Sequence, residues 1–357
     1  MPNDPLHKIT YTAKASKYNL AMMIAGLPFP LAATPLLSFI ATLTSVWWLI
    51  RSNTFKILDQ PNSRSLHATP VPRTGGVGLV LGILTSWALL PAVLTIQVWF
   101  AVCMLVAVSL VDDIFTLPVW QRMLTHVIIA TWLSAILLFP AHGWMLIIIV
   151  AFSIAWMTNL YNFMDGSDGL AGGMTLIGFS CYGFAAWIAG DETFAMLNFC
   201  IATAAVAFLM FNFHPARIFM GDSGSIPLGF LAAVIGVIGW RDGLWQFWLP
   251  LLVFSPFIAD ATATLVKRSL LGEKVWQAHY EHHYQRLVRS GFGHRNTALF
   301  GYVLMLASGT IALWATRQEA IIQLGAIVAC CAAYLLMMFS FNRYWIRYCS
   351  DRQSAPN

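Results

Sequence analysis

Charge is what this sequence has least of. Asp, Glu, Lys and Arg make up 10% of its 357 residues, against roughly 25% in ordinary soluble domains. With 59% of residues apolar, a chain of this length could not bury its hydrophobic side chains in water, so lipid is the solvent that the composition requires. Cysteine is sparse and unpatterned. Cys103, Cys181, Cys200, Cys330, Cys331 and Cys349 include no C-x-x-C pair, and all but the last fall inside apolar runs, which argues against a disulfide framework and proposes no metal site. The net charge of +5 comes without a basic stripe interleaved with aromatics, so nothing points to nucleic acid. There is also no polar linker and no repeat of fixed period. The chain therefore reads as one domain over 1–357, with 1–30 as a tail or interfacial segment and 267–297 as a loop.

What is present is a succession of apolar runs, at approximately 31–50, 76–96, 98–112, 122–140, 144–161, 170–190, 194–213, 225–240, 244–266, 298–316 and 320–341. About 20 apolar residues cross a bilayer core of roughly 30 Å, and only helices or closed barrels satisfy their backbone there. The expectation is an all-α, polytopic membrane protein of about 11 transmembrane helices. Basic residues alternate sharply between the loops. Fifteen of the 20 Lys and Arg lie on one side, among them Arg64, Arg73, Arg122, Arg217 and six residues between Lys267 and Arg295. The other side has Arg241, Arg317 and three lysines of the N-terminal tail. The positive-inside rule makes the basic side cytoplasmic, with the N-terminus outside and the C-terminus inside. The tail lysines run against this rule; they also suit a signal peptide ahead of Leu20–Ala33, although cleavage there would leave the first span too short.

The carboxylates gather on the same side. Asp59, Asp112, Asp113, Asp165, Asp168, Asp222, Asp260, Glu273 and Glu281 mostly lie close to span ends, where an ionisable residue in an apolar chain suggests function. Adjacent Asp112 and Asp113 close the third run, with Arg122 just beyond. Repulsion between such neighbours favours a proton acceptor or a metal-linked group. Asn159, Asn162 and Asp165 fall at i, i+3, i+6 along one stripe if the helix continues. Gly166, Gly169, Gly172 and Gly173 then break into a loop carrying Asp168, and oxygen donors of this kind suit magnesium. In Gly221-Asp222-Ser223-Gly224, Asp222 precedes a helix start and could ligate a metal or serve as a cap. A serine nucleophile would need an adjacent base that this stretch does not supply. The loop 59–76 supplies Arg64, His67 and Arg73 among stiffening prolines. The segment from His279 to Leu287 puts His279, His282 and His283 at helical spacing beside Arg286; phosphate holding, zinc binding and a structural role all remain open for it.

These five segments, in this order, resemble the polyprenyl-phosphate N-acetylhexosamine-1-phosphate transferases, and the likeness covers residues 36–340. The resemblance implies an enzyme of the bacterial inner membrane with a cytoplasmic cleft for Mg²⁺ (Mn²⁺ as a substitute), a UDP-sugar and undecaprenyl phosphate. Lipid would surround it, no nucleic acid would bind it, and a homodimer is allowed. By the same resemblance Asp222 ligates Mg²⁺ with Asn162 as second ligand. Asp168 sits near the uracil, with Asn159 and Asp165 in the same nucleotide-binding segment, and Asp112 or Asp113 acts on the carrier phosphate. Arg64, His67, Arg73, Arg122, His279, His282, His283 and Arg286 would hold phosphates or substrate. Two departures stand out: Arg122 replaces a commoner Lys, and the His-Tyr-Glu-His-His-Tyr-Gln-Arg segment looks more like that of enzymes initiating O-antigen on 6-deoxy-N-acetylhexosamines. The rival class, an ion-coupled transporter, usually carries its ionisable residues near the bilayer midplane; here they lie at one face.

Overall fold

The computed structural model describes residues 31–52, 57–60, 66, 70–90, 94–274 and 279–354. A 3₁₀ turn, Leu31–Ala33, leads into α1 (Thr34–Arg51); a two-residue antiparallel pair, β1 (Leu58–Asp59) with β2 (Val71–Pro72), follows. The helices then run α2 (Gly75–Trp87), α3 (Ile96–Phe115), α4 (Val119–Leu138), α5 (Trp144–Phe163), α6 (Leu170–Ala189), α7 (Glu192–Asn212) and α8 (Asp222–Arg241). They continue with α9 (Trp248–Val253), α10 (Ser255–Leu270), α11 (His283–Leu287), α12 (Gly293–Ala315) and α13 (Ala320–Ser354), with a π turn at Val288–Phe292.

Among the described residues nine helices are long and apolar enough to cross a membrane. The two remaining apolar runs are helical but irregular. Gly75–Trp87 has 13 residues, and the ninth run is interrupted between α9 and α10 at Phe254, where Pro256 opens the second piece. Proline has no N–H to continue the ladder, and at the first turn of a helix that loss costs nothing.

Helix α8 lies at the centre, buried almost along its length and wrapped by α2, α3, α5 and α6. Its glycines allow the approach: a Cβ on Gly229 would strike the Met157 carbonyl and Thr158 of α5. Tyr161, Tyr182, Phe179, Phe208, Phe230 and Phe257 fill the interior. Tyr161 Oη bonds both Thr175 Oγ1 (2.7 Å) and the Ala171 carbonyl (3.0 Å), pinning α5 to α6 with no polar atom left over. Outward faces carry Ile, Leu, Phe and Trp, as on Phe100, Ile148, Phe152 and Leu335, which suits lipid and not water.

Candidate active site

Helices α2, α6 and α8 all begin beside one pocket, lined by Asp59, Leu66, Arg73, Asn162, Asp165–Asp168, Asn212, Phe219, Gly221, Asp222, Gln285 and His294. Backbone pairing brings two of these starts together. Phe219 N–H donates to the Pro72 carbonyl (2.7 Å), Gly75 N–H to the Phe219 carbonyl (2.9 Å) and Gly76 N–H to the Met220 carbonyl (2.8 Å). Gly76 and Gly224 then meet backbone to backbone, with room for a Cβ on neither. Gly221 turns with φ +69° against the Arg73 carbonyl, a conformation and a clearance that favour glycine. Asn212 ties in the third start, accepting from Gly169 N–H (3.1 Å) and donating to the Ile218 carbonyl (2.9 Å). Three helix N-termini meet here, and the positive ends of their dipoles favour an anion at this point.

The acids stand at these starts: Asp222 opens α8 and lines the pocket with Asp165, while Asp112 and Asp113 adjoin Asp222 without lining the pocket themselves. Asp112 accepts from Leu117 N–H (2.6 Å) and from Arg122 Nη1 (2.8 Å), so both oxygens are engaged. The same Arg122 nitrogen reaches Asp222 Oδ2 at 3.3 Å, and Asn162 and Asp112 lie within hydrogen-bonding reach of Asp222. Asp113 is more loosely held: Arg73 Nε lies 3.4 Å from its carboxylate and Arg73 Nη2 donates to its carbonyl (2.6 Å), while the Ser223 amide faces it. Asp165, beyond the end of α5, accepts from Gly221 N–H. Burial and the Asp222 carboxylate nevertheless raise its pKa well above the usual carboxylate range. Four carboxyl groups thus face two guanidinium groups, an excess of negative charge that suits a further cation.

The donor set tells which kind. Among the described residues no three His, Cys, Asp or Glu side chains close around a common point, so there is no cage of the type that zinc occupies. Asp222 and Asn162 offer oxygen donors beside an anion-favouring cradle. Magnesium is typically held by one or two carboxylates, waters and substrate phosphates, and the residues fit that ion.

Asp168 has other company. Its Oδ2 accepts from His214 Nδ1 (2.6 Å) and Ala216 N–H (3.1 Å), and His294 Nδ1 stands 3.6 Å from Oδ1. His294 Nε2 lies 3.0 Å from the Leu66 carbonyl, so this nitrogen carries the proton, and Nδ1 accepts from Ser167 Oγ (3.0 Å) when the ring is neutral. His294 was invisible as a site residue in the sequence. The available signal was Gly291 and Gly293, both left-handed (φ +93° and +75°), announcing a chain reversal just before it. Gln285, from α11, and Asn212, the last residue of α7, likewise enter the pocket without any spacing of acids to announce them.

Several expected positions need correction. The stripe of Asn159, Asn162 and Asp165 does not exist as one face, because α5 ends at Phe163. Asn159 is turned away from the pocket, accepting from or facing His126 Nδ1 (3.1 Å) and donating to the Ala155 carbonyl (2.7 Å). Nor do His279, His282 and His283 share a helix face, since α11 starts only at His283. Asp260 explains that start: it accepts the amide protons of His283 (2.8 Å) and Tyr284 (3.0 Å) and contacts His283 Nδ1 (3.0 Å). Arg286 is spent on Asn342 (3.1 Å) and Glu281 (3.5 Å). Burial, then the neighbouring His282 and Arg268, push His279 down to about 4, so it is neutral at pH 7 and no fixed cation. Neither these histidines nor Arg286 line the pocket. Arg64 and His67 lie outside the described residues.

The stretch that builds most of this site, residues 95–240, matches the family described as glycosyl transferase family 4. The chain is 28% identical over 265 residues to a probable undecaprenyl-phosphate N-acetylglucosaminyl 1-phosphate transferase of Bacillus subtilis, covering 69% of this chain and 74% of that one. It is 28% identical over 331 residues to the decaprenyl-phosphate N-acetylglucosaminephosphotransferase of Mycobacterium tuberculosis (77% and 81%). A third likeness, 28% over 249 residues (60% and 75%), is to the phospho-N-acetylmuramoyl-pentapeptide-transferase of Levilactobacillus brevis. With the acids, the glycine-rich helix starts and the apolar helices all in place, the chain resembles glycosyl transferase family 4 over residues 95–240 and, over most of its length, the membrane phosphotransferases named above.

Proposed function

We propose that the protein transfers a sugar 1-phosphate from a UDP-sugar to undecaprenyl phosphate, releasing UMP and starting a lipid-linked surface polysaccharide of the O-antigen kind. The observation that carries this reading is the meeting of three helix N-termini with an acidic, oxygen-donor cluster in one pocket. That combination suits a diphosphate held with a divalent cation, and the relatives' names supply the acceptor class. The sugar proposed is an N-acetylhexosamine, the class in the relatives' names, or its 6-deoxy form, to which the resemblance of the segment His279–Arg286 points.

Asp222 and Asn162 would hold Mg²⁺. When bound, the ion supplies charge neutralisation of the diphosphate and of the departing UMP. The protein's residues do the rest. A carrier-phosphate oxygen attacks the β-phosphorus, and the bond from that phosphorus to the oxygen bridging to the α-phosphate breaks. Arg73, Arg122 and the N-terminal dipoles of α2, α6 and α8 orient the phosphates. Because Asp112 is committed to Leu117 and Arg122, Asp113 is the better proton acceptor, receiving the proton of a monoprotonated carrier phosphate. Phosphate monoesters have a second pKa near 6, so positioning outweighs base strength here. His214, aligned by Asp168, and His294 border the place where the nucleotide would lie.

The test is a panel of UDP-sugars offered with undecaprenyl phosphate and scored by radiolabel entering lipid. The proposal expects one N-acetylated sugar to transfer with stoichiometric UMP. Absence of transfer from every donor would refute it. UMP release by detergent-solubilised protein, where no compartments exist, separates a transferase from an ion-coupled carrier.

A further inference from the structure

Arg122 makes an unusual pair of contacts. It lies in the first turn of α4, and a single nitrogen, Nη1, serves two carboxylates from different helices: Asp112 of α3 at 2.8 Å and Asp222 of α8 at 3.3 Å. Its side chain is 30% exposed and that of Asp222 23%, whereas Asp112 is nearly closed off at 8%. The contact to Asp112 is thus the shorter and better sheltered one, and the contact to Asp222 the longer and more open. Among the described residues the guanidinium touches carboxylates through Nη1 alone, which leaves Nε and Nη2 as donors. Guanidinium groups present their donors as a rigid fork suited to phosphate. Asp113 meanwhile has its own cation in Arg73.

We infer that Arg122 is a resident counter-ion at Asp222: it partly neutralises this carboxylate while the pocket is empty and transfers to a substrate phosphate when a divalent cation takes its place. The inference rests on the reading of Asp222 as a ligand of that cation. Two positive groups cannot both be held closely by one carboxylate without repelling each other, and at separations near 4 Å in a partly desolvated site that repulsion is large enough to change affinity severalfold. The cation and the guanidinium therefore compete until a phosphate arrives to receive the guanidinium. Asp112, gripping Arg122 from the far side, keeps it within reach throughout. A lysine at this position would keep the charge but could not hold Asp112 while offering a planar fork to phosphate.

The probe is Mn²⁺, titrated into full-length detergent-solubilised protein without nucleotide and followed by the free-ion electron paramagnetic resonance signal. Arg122→Gln removes the competitor and is expected to tighten Mn²⁺ about tenfold, although the same variant loses turnover. Arg122→Lys, which preserves charge and guards against a folding artefact, is expected to tighten it about threefold because a single ammonium serves both carboxylates less well. Asp222→Asn should abolish the tight site in every background. Unchanged or weaker Mn²⁺ binding in both Arg122 variants, with Asp222→Asn still abolishing it, would overturn the counter-ion role and leave the cation assignment standing. If Asp222→Asn binds Mn²⁺ like the wild type, the cation assignment fails and this inference with it.

Discussion

At the residue scale, the neighbouring acids Asp112 and Asp113 show how identical side chains acquire different work. Asp112 closes the end of α3 through Leu117 N–H and grips Arg122, while Asp113 keeps a looser partner at 3.4 Å. Asp113→Asn should therefore slow transfer by about 10²–10⁴-fold, the usual range for a general base, with an unchanged thermal transition. Asp112→Asn should instead lower the transition, since a charged hydrogen bond of this type is worth about 1.5–3 kcal/mol; scanning calorimetry beside initial rates separates the two. The sequence presented the pair with Arg122 beyond it but not this division, because which carboxylate meets Leu117 N–H and Arg122 is decided only once the chain turns at Thr116. His279 gives a second expectation. Its folded pKa, about 4, lies below the ordinary 6.5, so the unfolded chain binds more protons between those values and stability falls as pH drops from 6.5 to 4. His279→Gln should flatten that part of the melting-temperature profile, and an unaltered slope would count against the assignment.

At the element scale, the precision of the pocket depends on two helix starts that touch without side chains. Gly76→Ala would drive a methyl group into Gly224 and the Met220 carbonyl, and backbone does not yield as a flexible side chain does. Overpacking of this kind costs about 1–3 kcal/mol, and because the displaced atoms are the pocket wall, activity should fall at least about tenfold even where the variant remains folded. Gly325→Ala on α13, with nothing within 4 Å of the added methyl, is the control; it should be neutral or stabilising by about 0.5–1 kcal/mol. Among the described residues each of the eleven apolar runs holds a helix, because length and hydropathy suffice to specify a helix in lipid. The break at Phe254 was signalled by Pro250 and Pro256. Loop registers were not legible: the capping of α11 by Asp260, 23 residues earlier, leaves no trace in local spacing, so the expected histidine face was drawn on a helix that had not begun.

At the scale of the whole molecule, the site is assembled from the C-terminal ends of α3, α5 and α7 and the N-terminal ends of α2, α4, α6, α8 and α12. Ends can coincide this way only if consecutive segments cross in alternate directions. Helix α2 must then carry the chain to the far face, although 13 residues rise only about 20 Å, short of a full bilayer core; α9 and α10 together must make the return. Alternation places Lys274 on the site face and Glu319 on the opposite one, and both are exposed. The basic loops share the site face, so the positive-inside rule predicts a pocket that opens to the cytoplasm. In sealed vesicles of known orientation, a cysteine-free variant carrying Glu319→Cys should react with an impermeant thiol reagent from the external side, and one carrying Lys274→Cys only from the cytoplasmic side. Labelling of both from one side would mean that α12 does not cross, and that the alternation on which this arrangement depends is broken between α10 and α13. Reversed labelling would leave the alternation intact and turn the pocket outward, where a nucleotide-sugar donor made in the cytoplasm could not reach it.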